Sequence, residues 1–262
     1  MRAGKTLPIG LFFVMFCLVA GMVPVKAQNV TIALNSWCPH VCVPQVDSNR
    51  LGYTTEIIEK SLVDAGYSIN YVKAPWATIV KMARDGKVDI VGSAYKQELP
   101  TMLFVEMPSG MAVERVFSLK SNPWSFKGVS SLSQISKIGT IEGADYNNPE
   151  LMDYLKKAEN VAVFSGHEIV KQHLTQLMRQ RIEAFIGDEF VTLWNAKKLS
   201  STLEVKSSPP VSGLAPLYVA VSPSHPEHKK LLKIINDGIT ASMKTGEFAK
   251  VLGTYNLTPW WE

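Results

Sequence analysis

Short β-branched runs alternate with segments of helical period along this chain, and the whole alternation occurs twice. A strand that leads through a helix to another strand builds parallel pairing, so the order restricts the chain to layered α/β folds. In the first half, residues 30–34 predict a strand and 54–65 a helix with Ile57, Ile58, Leu62 and Val63 on one face, stopped by Gly66. Residues 68–72 predict the next strand, 76–84 a helix ending at the turn pair Asp85-Gly86, and 88–91 a buried strand. The second half repeats the plan: strand 137–141, helix 149–158, strand 161–164, helix 167–180 and strand 184–186. A last strand at 218–221 precedes helices at about 227–243 and 247–252, a tail that needs an existing layer to pack on.

Two half-chains of one plan need connections. Val116 to Leu119 is expected to be the outgoing crossing, and Pro209, Pro210, Gly213 and Pro216 stiffen the return. Two crossings between two α/β units imply a hinge.

Residues 1–27 are expected to be removed as a signal peptide. Arg2 and Lys5 precede an apolar run over 9–23, and Val25-Lys26-Ala27 has the ends of a signal-peptidase site, with cleavage expected before Gln28. That run is shorter than the roughly 20 residues of a membrane span. Cys17 follows Val14-Met15-Phe16 and not the small residues of a lipid-attachment site. A secreted chain with no anchor, retained by its cell, points to the periplasm. The remaining chain of about 235 residues suffices for one large or two ordinary domains. A net charge of +4 and a pI near 8.8, with Lys and Arg dispersed, give no nucleic-acid surface. After cleavage Cys38 and Cys42 remain, and an oxidising compartment makes a disulfide the expected state. A metal site with His40 is the rival reading, but Cys-x-x-x-Cys with one His lacks a clear fourth ligand, so neither metal nor cofactor is expected.

Several local patterns resemble a known family. They are Gly52-Tyr53-Thr54-Thr55-Glu56-Ile57-Ile58, Trp76 before an apolar helix and Asp85-Gly86-Lys87-Val88-Asp89-Ile90, Leu132-Ser133-Gln134-Ile135 followed by Ile138-Gly139-Thr140, and Arg181-Ile182-Glu183-Ala184-Phe185-Ile186-Gly187-Asp188. In order and spacing these are similar to the extracellular solute-binding proteins that deliver polar amino acids to ABC transporters. The resemblance covers essentially the whole chain after residue 27. It implies a two-lobed, type II periplasmic-binding-protein-like α/β fold, each lobe a mostly parallel sheet flanked by helices. Lobe one would be 28–115 plus 216–262 and lobe two 116–215, with the solute between them and no catalysis. The implied partners are a small polar solute and a membrane permease or receptor, the protein itself being a monomer.

Residue by residue, the resemblance implies that Asn35 and Trp37 supply a polar contact and an aromatic wall, and that Trp76 stacks on the ligand. Packing in the core is the alternative for both tryptophans. Ser93, Tyr95 and Lys96, expected to follow a strand ending at Val91, match the segment that holds a ligand carboxylate. Asp188 matches the carboxylate that binds a ligand ammonium, with a helix N-cap as its other reading. On these grounds Asp188→Ala and Trp76→Ala are each expected to weaken binding and leave the fold intact.

The chain also departs from the pattern. Where the family carries an arginine that clamps a carboxylate, Gln97-Glu98-Leu99-Pro100-Thr101 has none. In lobe two the corresponding Ser/Thr-rich turn reads Gly143-Ala144-Asp145-Tyr146, and Glu142 and Asp188 are expected nearby. These residues point to a cationic or neutral polar solute. Two rival functions remain: a sensory protein docking on a receptor, and an enzyme on the same fold. Against the enzyme, His167, His173, His225 and His228 offer no Ser-His-Asp order or metal spacing, and His225-Pro226-Glu227-His228 reads as the exposed start of a helix.

Overall fold

The β-rich runs fall into two separate sheets. The structure is a computed structural model that describes Met1, residues 28–199 and residues 204–261. Residues 2–27 of the expected signal peptide lie outside the described residues. Lobe one contains β1 (Asn29–Leu34), α1 (Tyr53–Asp64), β2 (Ser68–Lys73), α2 (Trp76–Arg84), β3 (Ile90–Ala94), β4 (Leu103–Phe104) and β5 (Gly110–Ala112). The chain then builds β6 (Glu114–Leu119), β7 (Ile138–Ile141), α3 (Pro149–Lys157), β8 (Val161–Phe164), α4 (Ile169–Met178), β9 (Ala184–Asp188), α5 (Glu189–Leu199) and β10 (Val205–Ser207) in lobe two. It returns through β11 (Ala215–Val221), α6 (His228–Thr245) and α7 (Glu247–Thr254) to lobe one.

The repeated plan appears as repeated topology. The first sheet runs β2-β1-β3-β11-β4, with β5 also on β11, and the second runs β10-β6-β9-β7-β8. In each, three parallel strands (β2-β1-β3 and β8-β7-β9) are flanked by an antiparallel strand that has just arrived from the other lobe, β11 or β6. Helices cover both faces of each sheet, which is why the central strands are buried on both sides. In lobe one, α1, α6 and α7 pack Ile58, Leu62, Ile235 and Phe248 against one face, and α2 packs Ile79 and Ala83 against the other. In lobe two, Leu132 and Leu151 lie on one side of the sheet and Leu174, Leu177 and Phe185 on the other. Each fully buried side chain of this kind stabilises its lobe by roughly 1.5–3 kcal/mol relative to exposure.

Three expectations are corrected. Val116 to Leu119 is not the crossing but the body of β6, pairing Val116 with Ile186 and Phe117 with Phe185. An extended apolar run gains more from ladder bonds and two covered faces than from bridging solvent, so the outgoing crossing shrinks to Val113 between β5 and β6. The strand expected at 88–91 runs Ile90–Ala94, which places Ser93 inside it. Val63 is half exposed. It lies six residues from Ile57, about 240° around the helix, off the stripe that Ile57, Ile58 and Leu62 bury. The return crossing lies between β10 and β11 and holds Pro209, Pro210 and Gly213 as expected, whereas Pro216 lies inside β11 and pairs with Met111. Helix α5 was not anticipated. Among the described residues no helix is long and apolar enough to cross a membrane.

Candidate ligand-binding cleft

The carboxyl ends of β1, β3, β7, β8 and β9 converge on one cavity between the lobes. Open α/β sheets bind ligands at such ends. Its walls include Asn35, Trp37, Trp76, Ser93, Tyr95 and Glu98 from lobe one and Glu114, Asp145, Tyr146, Glu168, Ile169 and Asp188 from lobe two. The cavity opens to solvent at its mouth, and the empty space counted out to that mouth is about 730 Å³.

Local chemistry positions each wall. The loop after β1 is closed by a Cys38–Cys42 disulfide, as expected from the sequence. Within that loop Trp37 exchanges backbone bonds with Val41, of 3.0 and 3.2 Å, which fixes the indole at the cavity edge. Trp76 is the first residue of α2, set by Pro75 at the N-cap. It is 8 % exposed, and its indole N–H donates across the cleft to the Gly143 carbonyl at 3.3 Å. Beyond β3, Tyr95 starts a short turn in which its own N–H donates to Glu98 Oε2 at 3.0 Å. The other oxygen of Glu98 accepts from the Asp145 N–H of lobe two at 3.2 Å. Tyr146 is buried because its hydroxyl accepts from the Ile141 N–H at 2.9 Å and lies 2.7 Å from Thr140 Oγ1.

A buried chain of polar groups ties the lobes together beneath the cavity. His40 Nδ1 lies 2.6 Å from the Tyr53 hydroxyl, and its Nε2 lies 3.2 Å from Asp188 Oδ1. Asp188 also accepts from the Val191 N–H at 2.9 Å, as the N-cap of α5, and from the Val113 N–H in the crossing at 3.0 Å. Its side chain therefore lines the cavity while both oxygens already have protein partners. Glu114 pairs with Asp188 in the β6–β9 ladder and is 4 % exposed. Its Oε1 accepts from the Tyr95 hydroxyl at 3.1 Å, and its Oε2 has no partner. Ser93 Oγ, also buried, has none either.

Crowding of carboxylates disfavours their ionised forms. Burial, with Asp145 nearby, pushes Glu98 up to about 8. Burial, with Asp188, Glu98 and Asp145 nearby, holds Glu114 well above the usual carboxylate range. Burial and Glu114 likewise raise the Tyr95 phenol.

Asn35, Trp37, Trp76, Ser93, Tyr95, Asp145, Tyr146 and Asp188 all lie in the cavity wall. Lys96 and Glu142 do not. The Lys96 ammonium sits 4.1 Å over the Tyr218 ring, where a cation–π contact and solvent satisfy it better than an enclosed cleft would. Glu142 is exposed on the turn after β7. Sequence reasoning missed Glu98, Glu114 and Glu168. For Glu114 a signal existed: a carboxylate within the run Ala112-Val113-Glu114-Arg115-Val116-Phe117, at a position that points inward. Glu168 falls beyond β8 in a left-handed turn, φ 53°, that only the folded backbone reveals.

Comparisons with known proteins agree with this architecture. The chain is similar in structure to a putative L-cystine ABC transporter protein from Listeria monocytogenes, with a TM-score of 0.73 and 18% identity over 89% of this chain and 99% of that one. A mutant of ArgBP from T. maritima superposes with a TM-score of 0.72 and 16% identity over 87% and 95% of the two chains. A histidine kinase sensor domain with similarity to periplasmic binding proteins gives 0.72 and 14% over 89% and 99%. No curated protein sequence matches. These structures establish the two-lobed type II fold, and the model of the bacterial extracellular solute-binding proteins, family 3, matches residues 30–258. By that match over most of its length, the chain belongs to the bacterial extracellular solute-binding proteins, family 3.

Proposed function

We propose that the protein binds a small polar solute between its lobes in the periplasm and delivers it, in the closed form, to an ABC-transporter permease. The observation that carries this reading is a single cavity walled by both lobes and spanned at its rim by the Glu98–Asp145 and Trp76–Gly143 contacts. A solute bound there touches both lobes at once, so it favours the closed arrangement by as much as its contacts differ between open and closed states. Enclosure also removes water and strengthens each polar contact. The buried His40–Asp188 pair turns its imidazole towards Tyr53, and His40 is not part of the cavity wall, so it is not placed to exchange protons with a solute.

The test is a thermal-shift screen against amino acids, amines, organic acids and sugars. A ligand that binds only the folded state adds roughly 2.7 kcal/mol at 100 times its Kd. A saturable shift with at least one compound, lost in Trp76→Ala, is expected. A flat response across the panel refutes the reading.

A further inference from the structure

The charge of the cavity wall is one-sided. Glu98, Glu114, Asp145, Glu168 and Asp188 all line it, and no Lys, Arg or His does among the described residues. Two of these carboxylates have counter-groups outside the cavity: Asp188 faces His40 and Glu168 pairs with Lys171 at 2.8 Å. Glu98, Glu114 and Asp145 have no cationic partner there. Against them stand only the N-terminal ends of α2 and α4, each worth about half an elementary charge. The N-terminus of α5 is already capped by Asp188.

The side chains of the wall also offer few donors to an anion, which leaves the uncapped N–H groups at the starts of α2 and α4 as its main donors. The Asp145 N–H, which faces the opposite lobe, is occupied by Glu98 Oε1 at 3.2 Å. The Tyr95 hydroxyl is spent on Glu114, and the Trp76 indole on Gly143. Among the buried side-chain atoms of the wall, those left unpaired are an acceptor, Glu114 Oε2, and the Ser93 hydroxyl, which can accept as well as donate. A buried carboxylate oxygen without a partner costs stability unless a donor arrives, and a cationic ligand can be that donor. The apolar part of the wall is Trp37, Trp76, Ile169 and Val170, and the faces of indole rings attract cations.

We propose that the solute is a small organic cation without a carboxylate, its ammonium or guanidinium held by Glu114 Oε2 and Ser93 Oγ and its body against Trp37 and Trp76. This rests on the reading of the cleft as a solute site and names the solute's class. Carboxylate-bearing amino acids are disfavoured because their anionic group meets Glu98 or Asp145 where a donor is required. The raised proton affinity of Glu98 and Glu114 in the empty cleft agrees with this, since an arriving cation takes the place of those protons.

Calorimetric titration with matched pairs tests the idea: agmatine against arginine, cadaverine against lysine and tyramine against tyrosine. At least one amine is expected to bind roughly tenfold or more tighter than its parent amino acid. Glu114→Gln is expected to weaken that amine by a similar factor, with Ser93→Ala as a second variant should Glu114→Gln fold poorly. An amino acid that binds as tightly as its amine, or an amine indifferent to both variants, overturns the cationic assignment and leaves the solute-binding reading standing. Silence of all three pairs also overturns it, and the wider thermal-shift screen then judges the binding reading separately.

Discussion

Removing the Asp188 carboxylate is expected to damage the fold before it damages binding. The residue is 2 % exposed and its two oxygens serve three partners on both sides of the hinge: the Val191 N–H, the Val113 N–H and His40 Nε2. Truncation to alanine removes the N-cap of α5, worth about 1 kcal/mol. It also leaves the Val113 N–H in the crossing without its acceptor, at about 1–3 kcal/mol, and His40 Nε2 without its partner at a similar cost. Neighbouring losses overlap, so the expected sum for Asp188→Ala is about 4 kcal/mol, a large share of the ~5–15 kcal/mol of a typical domain. Asp188→Asn keeps the shape but turns an NH2 towards one of the N–H donors, and is expected to lose about half as much. Urea unfolding followed by tryptophan fluorescence reads both values, with the slope unchanged if the denatured state is unaffected. An alanine variant within about 1 kcal/mol of the parent refutes the account of Asp188 as the bolt between crossing, helix and lobe one. It would restore the simpler sequence-based expectation of weakened binding in an intact fold.

Two further outcomes follow from buried groups elsewhere. The Cys38–Cys42 bridge spans a sequence separation of 4, so loop-closure entropy gives it only about 2 kcal/mol. Unfolding with and without reductant should differ by that amount, and coincident curves would show that the backbone bonds between Trp37 and Val41 hold the loop unaided. His173, buried between Phe164 and Phe185 in lobe two, has its ionisation pushed down to about 3 by burial. The unfolded chain takes up that proton below about pH 6.5 and the folded chain does not, so His173 subtracts stability as pH falls from 6.5 towards 3, reaching about 2 kcal/mol at pH 5. Between pH 7.5 and 5, His173→Leu should therefore gain about 2 kcal/mol on the parent. A stability difference that stays flat with pH would show that His173 is hydrated or already charged.

The candidate site was partly legible. Trp37, Trp76, Tyr95 and Asp188 were placed in the wall because each stands at or just beyond the end of a strand where an α/β sheet presents its loops, and strand ends can be read from hydrophobic runs. Lys96 was misplaced because sequence reports the position of a Cα and not the direction of a flexible side chain, which here turns back over Tyr218. Glu98 was noticed only as the absence of an arginine; that it reaches Asp145 depends on how far the lobes have closed.

By itself the sequence determined most of the element order, its duplication, the disulfide and the place of the return crossing. These follow from local periodicity, turn residues and redox setting, all properties of neighbours along the chain. The tertiary structure alone decided that Val116 to Leu119 belongs to a sheet, that Asp188 is held by three partners, and that Glu114 is buried with one oxygen unpaired. Those outcomes depend on contacts between residues far apart in sequence, 75 positions from Val113 to Asp188 and 148 from His40 to Asp188. Their energies come from desolvation and hydrogen-bond geometry that exist only once the two lobes have met.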